Sequence, residues 1–212
     1  MKRRNFFIEN YKKCWKFFLE CRWYFVFAFG IFALTFLIGF AFPIFFREEI
    51  FRFIEMLMLE IGGKGVLELI GFIFLNNVWA SFMAFVLGIG FGILPLVTCI
   101  ANGYLLGFVA RETVMVDGIL TMWRILPHGV FELPAIIFSI GMGLKLGWSV
   151  VGGTLTNLKQ KSVGADSRWS VMKDKRSIGY VFREGFRFFV FVVLPLLVVA
   201  GVIEGILIGF VN

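Results

Sequence analysis

An all-α, polytopic transmembrane helical bundle of about five spans is the fold this sequence predicts, and three observations predict it. Hydrophobic residues fill 59% of the 212 positions and the mean hydropathy is +0.89, well above an ordinary soluble domain. Apolar runs of about 20 residues, enough to cross a hydrocarbon core of roughly 30 Å, recur along the chain. Lys and Arg gather beside those runs, where they set the orientation of membrane helices. The net charge of +7 is thus a topology signal rather than a nucleic-acid footprint, and no nucleic-acid partner is expected. The length leaves room for one membrane domain, 1–212, and no sizeable soluble one.

The elements follow in order. Residues 1–22 read as an amphipathic interfacial helix: Phe7, Tyr11, Trp15 and Phe18 recur every three to four residues, with Lys12, Lys13 and Lys16 off that stripe. Such a helix suits the headgroup boundary, as an anchor or as a dock for anionic lipid or a partner. The first span is 23–42, closed by Pro43. Arg47–Leu69 carries too many charges to lie in hydrocarbon, where each central charge costs roughly 2.5–3.5 kcal/mol; it belongs at the interface and breaks at Gly62–Gly65. The apolar stretch after it is too long for one span and barely enough for two. Two short helices, 71–94 and 96–111, broken at Pro95, are expected there, with a re-entrant pair as the alternative. Spans over 134–151 and 186–210 complete the set, separated by a polar basic loop, 157–185. The dense Lys and Arg before the first span and in that loop place both in the cytoplasm. The C terminus then lies outside a multi-pass chain of the cell membrane.

Other features exclude function classes. Cys14, Cys21 and Cys99 contain no C-x-x-C pair, so neither a disulfide framework nor a zinc site is suggested. Trp23–Phe42 is too long for the core of a cleaved signal and lacks a small-residue cleavage site. A lone glutamine, Gln160, hints at a thermophile source, because thermolabile amides are depleted in heat-adapted proteins. Lys145 interrupts an apolar helix near its end, from which its amine can reach the interface. Small residues spaced by four, at Gly88/Gly92, Gly103/Gly107, Gly143/Gly147 and Gly201/Gly205/Gly209, predict tight helix packing and a homodimer seam.

The chemistry concentrates in Leu126–Gly147. His128, the only histidine, lies four residues before Glu132, with Pro127 and Pro134 on either side. Residues four apart share a helical face, and ionisable groups at membrane depth are costly and usually placed for a reason. With Asn76-Asn77, Asn102-Gly103, the core Pro127-His128-Gly129-x-x-Glu132-Leu133-Pro134-Ala135 and the closing Ala200…Glu204, the chain resembles the stage II sporulation protein M family of integral membrane proteins from about Trp23 onward. The resemblance implies a five- or six-helix membrane protein. In endospore-forming bacteria the namesake works in engulfment, as a membrane-embedded scaffold beside peptidoglycan-cleaving partners, and a role does not transfer on fold alone.

Three readings of the constellation follow. In the first, Asn76, Asn77, Asn102, His128, Glu132 and Glu204 belong to a buried polar network that fixes the helices relative to one another, in a scaffold that recruits membrane or cytoplasmic proteins. In the second they line a path for a small solute, ion or lipid, with His128 relaying protons. In the third His128 and Glu132 are metal ligands of an intramembrane enzyme. Zinc needs a third protein ligand, no second histidine exists, and neither H-E-x-x-H nor G-x-S-x-G occurs. The sequence therefore favours a scaffold over an enzyme, with no cofactor or metal and with membrane lipids as its surroundings.

Overall fold

The computed structural model describes residues 5–61, 65–120, 126–160 and 177–211, and every regular element among them is helical. Five stretches are long and apolar enough to cross a membrane: Phe6–Ala41, Ile70–Ile89, Ile93–Val116, Gly129–Gly152 and Ile178–Ile203.

Helix α1 runs unbroken over Phe6–Ala41. The sequence predicts a separate surface helix over 1–22; the structure instead joins it to the span in one rod of 36 residues, about 54 Å at 1.5 Å per residue. The change from basic to apolar at Arg22–Trp23 leaves the backbone ladder intact, because neither Gly nor Pro stands there. Pro43 ends the helix, since the residue before a proline is pushed out of the α region; Phe42 sits at φ −127, ψ 69. Helix α2 (Arg47–Ile61) begins directly after Phe46, whose φ is +57.

Helix α3 (Val66–Val86) starts five residues before the predicted span, with the Gly65 amide donating to the Glu68 carboxylate at 3.3 Å. Its end corrects the prediction more substantially. The break falls in the 3₁₀ turn Leu87–Ile89 and at Gly90–Gly92, not at Pro95. Gly92 takes φ +76, a left-handed conformation that glycine adopts without steric cost. Pro95 then occupies the first turn of α4 (Ile93–Asp117), where an amide has no helical acceptor to lose. That helix passes the predicted limit at Arg111 and stops at Gly118, φ +84.

Helix α5 spans Leu126–Gln160, well beyond the predicted 134–151, and carries Pro134 inside it. It takes in 157–160 of the predicted polar loop. Helix α6 (Ile178–Phe188) takes in its other end, and residues 161–176 lie outside the described set. A π-helical turn, Phe189–Val193, joins α6 to α7 (Leu194–Val211). Pro195 follows directly, and a widened turn there accommodates a ring that would otherwise clash with the carbonyl one turn back.

Helix α5 is the axis of the bundle. Of its apolar 18-residue stretch 61% is buried, against 17–33% for the corresponding stretches of the other four. Phe25 lies against Gly141 and Glu20 against Lys145, so α5 runs antiparallel to α1. Gly103 faces Phe32 and Gly107 faces Phe36, so α4 runs parallel to α1. The core on one side of α5 is aromatic, with Phe18, Phe25, Phe138 and Phe188 meeting at ring separations of 5.0–6.5 Å. On the other side Ala28, Phe32, Ala84, Cys99, Ile137 and Ile140 pack together.

Candidate functional site

Where α1, α5 and α6 cross, the bundle buries charge. Lys145 of α5 is 8% exposed, and its amine lies 3.5 Å from the Glu20 carboxylate of α1. The same amine sits 4.7 Å from the centre of the Phe17 ring, a cation–π distance. Tyr180 of α6 completes the junction: its hydroxyl donates to Glu20, at 3.2 Å to Oε2 and 3.4 Å to Oε1. One turn on, Glu184 is itself 8% exposed and is held by Arg187 on its own helix and by Arg183 at 3.2 Å. Three helices thus meet at one carboxylate.

The physics of this junction is restrictive. A lysine ammonium at membrane depth needs a counter-charge. Removing one member of a buried pair leaves the other uncompensated, at about 3–5 kcal/mol. Lys145, Glu20 and Tyr180 therefore hold α1, α5 and α6 in one mutual arrangement. The sequence reading sent the Lys145 amine to the interface, and the structure corrects it: the side chain turns inward onto Glu20. Glu20 and Tyr180 were not singled out at all. A signal existed, because a lysine in an apolar helix demands an acid, and few acids stand in apolar surroundings. The continuity of α1, which brings Glu20 into the bundle, was what remained hidden.

The opposite end of α1 is tied by polar contacts as well. The Tyr104 hydroxyl of α4 donates to the Phe45 carbonyl at 2.8 Å and lies 3.0 Å from that of Phe42. Arg111 reaches the Phe40 carbonyl at 3.3 Å, and Arg47 pairs with Glu112 at 3.2 Å. The Tyr104 and Arg111 contacts serve the Phe42 and Phe40 carbonyls at the C-terminal end of α1.

The residues predicted from sequence are placed as follows. Asn102 is half-buried, and its amide donates to the Thr98 carbonyl of its own helix at 2.8 Å. Asn76 is exposed and Asn77 half-buried on α3, and Glu132 is half-buried in the second turn of α5. His128 and Glu204 stand in helical backbone, but their side chains lie outside the described set. The glycines have clear partners. A Cβ on Gly88 would come within 2.6 Å of the Gly143 Cα, and one on Gly147 within 2.6 Å of the Gly92 Cα. Gly103 and Gly107 face α1, and Gly201 faces Phe74. Seven of the nine glycines assigned to packing (88, 92, 103, 107, 143, 147 and 201) therefore face partners within this chain; the side-chain surroundings of Gly205 and Gly209 are outside the described set. Among the described residues no three His, Cys, Asp or Glu side chains converge as metal ligands.

A family model described as stage II sporulation protein M matches residues 24–207. No curated protein and no solved structure matches the chain.

Proposed function

This chain belongs to the stage II sporulation protein M family, and from that premise we propose that it acts as a membrane-embedded scaffold, a fixed helical frame onto which membrane or cytoplasmic partners assemble. Its family and its five long apolar helices make it an integral membrane protein. The observation that carries the finer reading is the three-helix junction at Glu20, where Lys145 and Tyr180 converge from two other helices. A transporter must let its helices change partners, and a buried charge pair shared among three helices opposes that. The interlocked glycines of α5 and of the turn between α3 and α4 oppose it further, because backbones in direct contact slide only by separating.

In this reading the N terminus and the basic stretch 157–185 face the cytoplasm and the C terminus faces outward, a topology that the Lys/Arg bias supports. Most of the glycine faces serve packing within the chain, so self-association would use other surfaces.

Paired spin labels test the rigidity on which a scaffold depends. With labels at Lys16 of α1 and Trp148 of α5, both exposed, the protein in lipid nanodiscs gives one narrow distance distribution that is unchanged by pH, sodium or potassium. Two populations whose ratio follows an ion or a proton would replace the scaffold with a transporter.

A further inference from the structure

Beside Pro134 a groove of about 670 Å³ opens between α1 and the first half of α5. Its walls are Phe29, Phe32 and Phe36 on one side and Val130, Leu133 and Pro134 on the other. Phe29 and Val130 are more than half exposed, so the groove faces outward from the bundle. Lining positions on α5 run from Gly129 to Phe138, a depth of about 14 Å at 1.5 Å per residue. The groove lies within the apolar stretch Gly129–Gly152.

Two observations concern the occupant. The first is depth: an outward-facing apolar groove within a membrane span is filled by hydrocarbon rather than water. The second is a backbone acceptor. Pro134 brings no N–H, so the Val130 carbonyl four residues earlier lacks its helical donor. Both residues line the groove, and Val130 follows Arg124 and His128 in the sequence, on the polar side of the span, where headgroups are met. A carbonyl without a donor in that setting is costly.

We propose that this groove holds one membrane lipid, its chain lying between α1 and α5 and its headgroup donating an N–H or O–H to the Val130 carbonyl. The donor requirement gives selectivity. An ethanolamine or glycerol headgroup meets it, whereas a choline headgroup, with no N–H or O–H, does not. The site uses four positions of the Pro127–Ala135 motif (129, 130, 133 and 134) and does not depend on the scaffold reading.

Native mass spectrometry of the full chain released from nanodiscs tests it. The discs contain equal phosphatidylethanolamine and phosphatidylcholine with matched chains. One lipid is retained per chain, with phosphatidylethanolamine favoured about tenfold, the value of one hydrogen bond to an otherwise unmet acceptor. Pro134→Ala returns an amide to Val130 and brings that ratio close to one, with the lipid still bound. Ala33→Trp fills the groove and removes the retained lipid of either kind. Equal retention in the wild type, meaning surrounding lipid only, overturns the proposal, and so does a preference that survives Pro134→Ala.

Discussion

The two halves of α5 meet different surroundings. From Ser139 to Gly147 every residue except Leu144 is buried, whereas from Gly129 to Phe138 only Ala135 and Ile137 are. The closed half contains Gly141, Gly143, Gly147 and Lys145; the open half contains Pro134 and the outward groove. Lipid chains are as apolar as leucine, so burial in a membrane bundle is not driven by hydrophobicity between helices. It is reached where small residues let backbones touch and where a charge finds its partner. The closed half has both features. The open half, which carries the most distinctive motif of the sequence, brings no glycine against a neighbouring backbone among its described residues and faces outward instead.

The largest expected effect lies at the tightest contact of the closed half. A Cβ on Gly143 would meet the Ala84 carbonyl and come within 2.7 Å of the Pro95 ring. Gly143→Leu should therefore destabilise the bundle by about 3 kcal/mol or more, seen as loss of the monodisperse peak in detergent size exclusion. A change in the open half at Val130, which is more than half exposed, should leave that peak in place. Lys145→Met should cost about 3 kcal/mol, because it removes a buried ammonium that pairs with Glu20 and packs on the Phe17 ring; detergent or urea unfolding measures it. Tyr180→Phe removes one hydrogen bond to a charged acceptor, for a loss of about 1.5 kcal/mol in the same assay.

Ser139→Ala should act in the opposite direction. Among the described residues, the Ser81 and Ser139 hydroxyls are buried with no hydrogen-bond partner. Removing an unmet hydroxyl should stabilise by about 1 kcal/mol, visible as a small rise in Tm. A loss of stability there would mean that the closed half contains a polar guest.

Some of this was legible in sequence, and the limits have physical causes. Composition identified the bundle, and Pro43 stops α1 for the local reason that prolines stop helices. The break at Gly92 was missed because Pro95 is the louder signal. A proline at the start of a helix is compatible with it, and the left-handed glycine three residues earlier makes the turn. The run of α1 through Arg22 is hidden in the sequence because a change in polarity looks like a helix boundary while the backbone ladder continues through it. The junction was least legible of all: Lys145 and Glu20 are 125 residues apart, and no local pattern specifies which acid a buried lysine meets. The glycine spacings showed that helices would touch without indicating whether the partner lay in the same chain.

The most direct test of the account is a double-mutant cycle on Glu20 and Lys145, read by reversible unfolding in detergent micelles. Glu20→Leu and Lys145→Met should each be strongly destabilising. The double variant should lose clearly less than the sum of the two single losses, giving a coupling of about 2–3 kcal/mol. Near-zero coupling with additive losses would contradict the junction as the feature that fixes α1, α5 and α6, and with it the rigid frame.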